Sequence, residues 1–232
     1  MKFGVTQAFP CSYLSEHEEQ LLVCMEPIDS LQSNYPVLIQ AGFRRSGEQL
    51  YRPHCKQCNA CESLRIIASA FTPSKSQKRI INKNKDIIMS VHDGERDDYY
   101  PLYEEYINAN HSDGSMYPAS YEQYRNFVHC YWQSPIFIEG RINGELVGVA
   151  VTDKLSNGLS ALYSFFDPSL AKRSLGTFFI LQQVQICQQM QMPYLYLGYQ
   201  IDQCAKMNYK NNFYPHQRLQ DNRWVLFSKK TA

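Results

Sequence analysis

The chain has 232 residues, of which 44% are apolar and 19% charged, so it suits one large globular domain or two small ones. Its 23 basic and 22 acidic side chains leave a net charge of +1, which neither favours nor excludes a nucleic-acid partner. No N-terminal run resembles a signal peptide, and no stretch approaches the roughly 20 apolar residues that span a bilayer. We therefore expect a cytoplasmic protein without a membrane partner, whose eight cysteines are not paired as disulfides.

Residues 1–70 form a first predicted unit, an α/β unit that contains a cysteine cluster. Its predicted elements are strands over 20–25, 50–52 and 63–68 and a helix over 31–43. Cys55, Cys58 and Cys61 have the spacing CxxCxxC, and Cys11 is the obvious fourth partner. Thiolates two residues apart on a tight turn can converge on one ion, so these four positions are candidate ligands of zinc or an iron–sulfur cluster. Buried cysteines that act as small apolar side chains are the plainer interpretation.

Residues 71–232 form the second predicted unit, which begins with a basic helix over 75–84. Residues 75–85 contain five basic side chains and no acid, and residues 203–232 form a second basic region that ends near Lys230. A strand over 86–91, helices over 97–110 and 120–131, and the long polar loop 110–118 complete the first half of this unit. Two basic patches on a neutral chain are typical of a site for a polyanion, although solvated helix faces explain them equally well.

The stretch from 136 to 199 predicts three strands, a helix and a fourth strand. The strands at 136–142, 146–152 and 159–166 are separated by Asn143-Gly144 and Ser156-Asn157-Gly158, which are strong hairpin signals. A helix follows from Leu175 to just before Pro193, and the last strand covers 194–198. A strand–helix–strand connection makes the two joined strands parallel and the crossover right-handed.

An antiparallel meander that leads into one such crossover resembles the core of GNAT-type acyltransferases. The predicted fold class is therefore α+β, with a GNAT-like core and the N-terminal cysteine-containing α/β unit. In that fold the two parallel strands splay apart, and the N-terminus of the helix between them binds the phosphates of the acyl donor. An ordinary α+β core with a glycine-containing loop is the alternative.

Two groups of residues resemble the arginyl/leucyl-tRNA–protein transferase family, in the same order and over nearly the whole chain. The first group is Tyr51-Arg52-Pro53, Cys55, Cys58, Cys61 and Leu64-Arg65. The second is Ser160, Tyr163, Phe165-Phe166-Asp167-Pro168, Ser174-Leu175-Gly176, Tyr194, Tyr196-Leu197-Gly198-Tyr199, Lys206-Met207, Tyr209-Lys210 and Pro215. Eukaryotic members carry Cys-Gly-Tyr-Cys where this chain has Cys11-Ser12-Tyr13-Leu14, so their metal site cannot be copied onto it.

The resemblance implies an aminoacyltransferase that creates N-degrons for proteolysis. Such enzymes move an amino acid from aminoacyl-tRNA to the α-amine of proteins that begin with Asp or Glu, and in the bacterial branch that amino acid is leucine. The implied partners are leucyl-tRNA and these acidic N-termini, not DNA. We expect the transfer to require no cofactor.

Asp167, Tyr163 and Tyr199 are the catalytic candidates within the predicted core. Asp167, at a strand end, would hold the ammonium of the donor leucine or relay a proton, and the two tyrosines would line the cleft. Each has a plainer reading as a strand-end turn or a core side chain. An aminoacyl ester is already activated, so alignment of the amine with the carbonyl supplies most of the rate enhancement.

The remaining candidates are charged or flexible residues that would hold the two substrates. Candidate donor-binding residues are Arg173, Ser174, Leu175 and Gly176 for the terminal phosphates and ribose, with Lys75, Lys78 and Arg79 for the rest of the tRNA. Candidate acceptor-binding residues are Lys206, Lys210 and His111, which would neutralise the acidic side chain. Solvated helix faces are the plainer interpretation of the lysines.

Three alternatives stay open at this point. The donated residue could be arginine rather than leucine. The same fold could use acyl-CoA, although only Gly176 remains of the glycine-rich loop usual for that donor. Finally, the cysteines and basic patches fit a non-enzymatic, metal-dependent RNA-binding or redox protein.

Overall fold

The computed structural model describes residues 1–112, 114 and 116–229, which form a mixed α+β fold built around a large mixed sheet. The strands are β1 (Phe3–Val5), β2 (Phe9–Pro10), β3 (Glu18–Glu19), β4 (Leu21–Cys24), β5 (Arg44–Ser46), β6 (Gln49–Pro53), β7 (Glu62–Ile67), β8 (Ile88–His92), β9 (Ile136–Ile142), β10 (Glu145–Leu155), β11 (Gly158–Phe166), β12 (Tyr194–Gln200), β13 (His216–Gln220) and β14 (Arg223–Phe227). The helices are α1 (Ile28–Gln40), α2 (Lys75–Lys83), α3 (Tyr99–Asn110), α4 (Tyr121–Val128) and α5 (Leu175–Gln189).

The large sheet has eight strands in the order β14-β13-β7-β12-β11-β10-β9-β8. Only the pair β11 and β12, joined through α5, is parallel among the described pairings, as a crossover connection requires. The predicted turn between β9 and β10 is confirmed, because Asn143 and Gly144 both have positive φ. Gly158 has a different role: a Cβ there would lie 2.2 Å from the Tyr194 carbonyl oxygen, so glycine permits the approach of the parallel strand.

Helices cover both faces of the large sheet. Strand β10 contacts helices on both sides: Val149 and Val151 pack with α3 and α4, while Val147 and Ala150 pack against α5. Helix α2 lies beside α5 and begins at Ser74, whose side chain forms a reciprocal capping box with Gln77. This two-sided burial explains the nearly continuous apolar runs of the central strands.

A smaller sheet, in the order β1-β4-β6-β5, packs with α1 on the side of α3 and α4. The chain leaves this sheet at Pro53 and passes through the cysteine loop. It then enters the large sheet as β7, between β12 and β13. The large sheet therefore takes one strand, β7, from before the boundary predicted at residue 70 and its other seven strands from after it, and that boundary stays a prediction.

The sequence predicts a short helix over 202–212 and a closing strand over 223–228, and this C-terminal region differs most from its predicted elements. Residues 202–212 do not form a continuous helix; one 3-10 segment, Asn208–Asn212, follows a series of turns. Asparagine and other small polar side chains compete for backbone hydrogen bonds there and favour turns. Strand β13 was not predicted, and β14 pairs with it at the edge of the sheet. None of the helices in the described ranges is long and apolar enough to cross a membrane.

Candidate active site

Strands β11 and β12 pair over only three residues before they separate. The pairing runs from Gly158 opposite Tyr194 to Ser160 opposite Tyr196. Beyond that point β12 pairs with β7 alone, with an irregularity between Tyr196 and Gly198. The opening between the diverging strands, which we call the wedge, leads into a cleft of about 580 Å³. The N-terminal turn of α5 reaches the same cleft, since Gly176 lines it.

The four residues of the predicted donor-binding loop, 173–176, have different environments, and only some of them could contact a ligand in the cleft. Ser174 has left-handed backbone angles and its side chain does not cap α5, so it leaves the helix N–H groups to other acceptors. Leu175 is buried in the core beneath the helix. Arg173 forms a two-pronged ion pair with Asp86, at 2.9 and 2.8 Å. Of these four residues, Gly176 is the one that lines the cleft.

The predicted tRNA-binding helix lies next to that loop. Lys75, Lys78 and Arg79 are exposed on α2. The C-terminal end of α2 is tied to the loop before α5, because Asn84 Nδ2 donates a hydrogen bond of 3.0 Å to the Arg173 carbonyl oxygen. The structure therefore places the C-terminal end of this basic helix beside the loop that leads into α5. Lys230, in the second basic region, lies outside the described residues.

Both predicted tyrosines line the cleft; Asp167 does not, although the preceding residue, Phe166, does. The Tyr199 hydroxyl donates to the carbonyl oxygens of Gly42 at 3.1 Å and Tyr51 at 3.3 Å. Burial raises the pKa of Tyr163 and of Tyr199 above the ordinary value, so both keep their protons at neutral pH. Asp167 follows the last residue of β11, and its Oδ1 accepts the Ser169 N–H at 2.8 Å.

The three predicted acceptor-binding residues, Lys206, Lys210 and His111, all line the cleft. Lys206 is exposed, and the His111 ring packs edge-on against Tyr106. Lys210 is buried, and its Nζ donates to the Tyr199 carbonyl oxygen. Burial first, and then the charge of Arg44, lower the pKa of Lys210 to about 7. Asp113 and Ser115, in the predicted loop next to His111, lie outside the described residues.

Sequence reasoning missed Arg44, which also lines the cleft and is 7% exposed. It begins β5, and its guanidinium donates through Nη2 to the carbonyl oxygen of Ala161 on β11. No local signal marks it, because that partner is 117 residues away along the chain. The sequence offers only an Arg-Arg pair after a helix.

The cysteine cluster does not fit the proposed metal site. Cys11, Cys55, Cys58 and Cys61 line one pocket of about 450 Å³ and carry free thiols. Nevertheless, the described residues contain no group of three or more His, Cys, Asp or Glu side chains that could hold a metal ion. Burial and the neighbouring thiols raise the pKa of Cys61 to about 12, which favours the neutral thiol over the thiolate that metals bind. The prediction that the four cysteines lie close together is thus confirmed, but their arrangement is not that of metal ligands.

Two solved structures have a distant likeness to this chain. The C-terminal domain of a putative lysylphosphatidylglycerol synthetase from Agrobacterium fabrum has a TM-score of 0.47 and 9% identity, over 84% of this chain and 70% of that one. The structure of L-PGS from Bacillus licheniformis has a TM-score of 0.46 and 12% identity, over 73% of this chain and 50% of that one.

Comparison of sequences gives much closer matches. The family models "Arginine-tRNA-protein transferase, N terminus" and "Arginine-tRNA-protein transferase, C terminus" match residues 9–79 and 98–220. An aspartate/glutamate leucyltransferase of Pseudoalteromonas atlantica is 54% identical over 99% of both chains. The protein of the same name from Aeromonas hydrophila is 50% identical over 99% of this chain and 97% of its own. The chain therefore belongs to the arginine-tRNA-protein transferase family.

Proposed function

We propose that the protein transfers leucine from leucyl-tRNA to the N-terminal amine of proteins that begin with Asp or Glu, and that it acts in the cytoplasm. The product would carry an N-terminal leucine that marks it for proteolysis. The observation that carries the proposal is the cleft at the wedge, where the N-terminus of α5, two tyrosines and several cations meet. The relatives that are 50% or more identical and bear the name aspartate/glutamate leucyltransferase support the choice of substrates.

The donor would bind as acyl donors do in a GNAT-like core. The N-terminal turn of α5 offers N–H groups that Ser174 leaves uncapped, and a helix N-terminus attracts the negative charge of phosphate. Gly176 would let the ribose and phosphate approach the backbone closely. The exposed Lys75, Lys78 and Arg79 on α2 would contact the tRNA backbone, which makes binding sensitive to salt.

The reaction is the aminolysis of an ester. The neutral α-amine of the acceptor attacks the leucyl carbonyl carbon, and a tetrahedral intermediate forms. The carbon–oxygen bond to the terminal ribose then breaks, the ribose hydroxyl leaves with a proton, and a peptide bond remains. The amine arrives as an ammonium and must lose a proton before it attacks, so a base or a water relay is needed.

The roles within the cleft follow from these requirements. Tyr163 and Tyr199 keep their protons, so they orient the donor and are not bases. Asp167, just beyond the wedge, is our candidate for binding the leucine ammonium and relaying a proton. Lys206, Lys210 and His111 line the cleft and are our candidates for contacts with the acidic acceptor. Alignment of two substrates in one cleft supplies about 7–11 kcal/mol of the barrier reduction.

The direct test supplies the protein with labelled leucyl-tRNA and a peptide that begins with Asp. We expect the label to appear at the N-terminus of the peptide, but not when the peptide is N-acetylated. Arginyl-tRNA in a parallel reaction decides the donated residue, and peptides that begin with Asp, Glu or Ala decide the acceptor. No transfer from either tRNA, together with acylation of the peptide from acetyl-CoA, would replace this proposal with acyl-CoA chemistry.

A further inference from the structure

Arg44 is a buried cation for which the described residues supply no acidic partner. The residue is 7% exposed, and its Nη1 is buried with no hydrogen-bond partner among the residues that the structure describes. Within the described part of the chain, no carboxylate forms an ion pair with it. An unsatisfied buried donor costs about 1–3 kcal/mol, and more when it is charged. Such a group in a cleft points to a ligand that supplies the missing acceptor.

The guanidinium of Arg44 lies at the mouth of the wedge. Its Nη2 donates to the carbonyl oxygen of Ala161, the first residue of β11 beyond the last pair, Ser160 with Tyr196. It therefore occupies the place where the next backbone partner of β11 would be. On the other side it lies over Gly198 of β12, where a Cβ would be 3.4 Å from Nε and 3.5 Å from Nη2. Both diverging strands thus hold the cation in a fixed orientation.

The charge around Arg44 also favours an anion. Lys210 lines the same cleft, and its pKa is lowered to about 7 by burial and, second, by the charge of Arg44. The other neighbours include Tyr51 and Tyr199, whose hydroxyls stay neutral because burial raises their pKa. No carboxylate among the residues described forms an ion pair with either cation. A bound carboxylate would neutralise Arg44 and satisfy its free N–H group at the same time.

We infer that Arg44 is the binding site for the side-chain carboxylate of the acceptor's N-terminal Asp or Glu, an assignment that rests on the proposed function. The planar fork of arginine matches a carboxylate, and charge-assisted hydrogen bonds of this kind are strong. The α-amine of an Asp or Glu residue is only a few bonds from its side-chain carboxylate. With the carboxylate held at Arg44, the amine would therefore lie close to the wedge. The positive field there also favours the neutral amine, which is the form that attacks.

A tRNA phosphate is the other anion that could reach a cation in this cleft. The carboxylate is the better match, because Arg44 is buried among tyrosines and strand backbone, whereas the tRNA-binding candidates Lys75, Lys78 and Arg79 are exposed on α2. The leucyl group of the donor is a poor alternative, since its ammonium would be repelled by the guanidinium. The two anions are distinguished by measuring acceptor and donor separately.

The test compares acceptor peptides that begin with Asp or Asn, and with Glu or Gln, which differ little in shape. The wild-type protein should prefer each acid over its amide, because the amide leaves the guanidinium unpaired. In R44M, kcat/KM for the Asp peptide should fall about 100-fold or more, mainly through KM, while the value for the Asn peptide changes less than about 3-fold. The dissociation constant of leucyl-tRNA should not change. In R44K, which keeps the charge but not the fork, we expect an intermediate loss of about 10-fold for Asp.

R52M is the matched control for the loss of an arginine. Arg52 lies on β6 in the same small sheet and donates to the Ala41 carbonyl oxygen at 2.9 Å, and it lines the cysteine pocket instead of the cleft. R52M should keep the wild-type preference for Asp over Asn.

If R44M does not fold, R44K decides: a wild-type Asp-to-Asn ratio in that variant would overturn the assignment. An R44M protein that keeps the ratio but binds leucyl-tRNA more weakly would assign Arg44 to a phosphate. Absence of any transfer by the wild type would refute the proposed function itself.

Discussion

Two adjacent arginines, Arg44 and Arg45, occupy opposite environments although both are buried. Arg45 binds both oxygens of Asp153, at 2.7 and 2.8 Å, and neither side chain is exposed. Tyr35 completes this closed cluster by donating to Asp153 at 2.9 Å. Arg44 points instead into the wedge and finds no carboxylate among the described residues. Since successive side chains of a strand point to opposite faces, one residue along β5 separates a structural cation from one left open for a ligand.

Burial of a charge does not by itself indicate its role. A buried ion pair with its hydrogen bonds satisfied is costly to break but contributes little net stability over an apolar pair. A buried charge with an unsatisfied donor is unfavourable in the free protein and becomes favourable when a ligand arrives. The closed cluster should therefore control folding, and Arg44 should control recognition.

Breaking the closed cluster should produce the largest effect on stability. In D153N the Arg45 guanidinium loses its counter-ion in a buried site, which should lower the free energy of unfolding by about 3–5 kcal/mol. Urea unfolding at neutral pH measures this. D86N is the matched control, because Asp86 pairs with Arg173 through the same two-pronged geometry at an exposed position, and we expect no measurable change there. Equal effects in D153N and D86N would contradict the structural role of the cluster.

A side chain at Gly198 should disturb recognition without removing Arg44. Gly198 has φ of +83°, and the added methyl groups of G198V would meet the guanidinium. We expect about 1–3 kcal/mol of lost stability from the backbone strain, and a loss of transfer to Asp peptides of about 10-fold. G144V provides the control. Gly144 has φ of +90° and open space around it, so this substitution introduces backbone strain without a contact to another side chain. Transfer should stay near the wild-type level in G144V, and a comparable loss there would show that strain, not contact, is responsible.

Lys210 should give stability a pH dependence of smaller size. Its pKa is about 7 in the folded protein and 10.5 ordinarily, so between these values the unfolded chain binds a proton that the folded protein does not. Stability should consequently rise with pH above 7, by about 1 kcal/mol between pH 7 and pH 8 at most, relative to K210M. Arg44, Cys204 and Cys61 are the charged or titratable groups that influence Lys210.

Urea unfolding across this pH range, with wild type and K210M side by side, measures the difference. In R44M the loss of a like charge should raise the pKa of Lys210 and move the rise to higher pH. If the free energy of unfolding of the wild type fell relative to that of K210M as pH rises, the assignment of a lowered pKa would be contradicted. This result would also weaken the electrostatic picture of the cleft.

Local sequence signals determined much of the fold and part of the candidate site. The turn at Asn143-Gly144 predicted its hairpin because two residues with positive φ suffice to reverse the chain. The helix after Ser174 and the parallel strand after Pro193 also follow from local pattern. For the same reason the positions of Tyr163, Tyr199 and Gly176 at the wedge could be predicted, since the crossover places them at one end of two neighbouring strands.

Only the tertiary structure decided which distant residues complete that end of the sheet. Pairing between β7 and β12, and the approach of Arg44 to Ala161, join segments that are far apart in the chain and leave no periodic signal within either of them. The CxxCxxC spacing shows the converse, because it gathered the thiols in one pocket but could not set their ligand geometry. Local conformational preferences thus determined the strands, turns and crossover of this protein. The environment of each charge was decided by long-range packing, because burial and hydrogen-bond partners exist only once those elements are assembled.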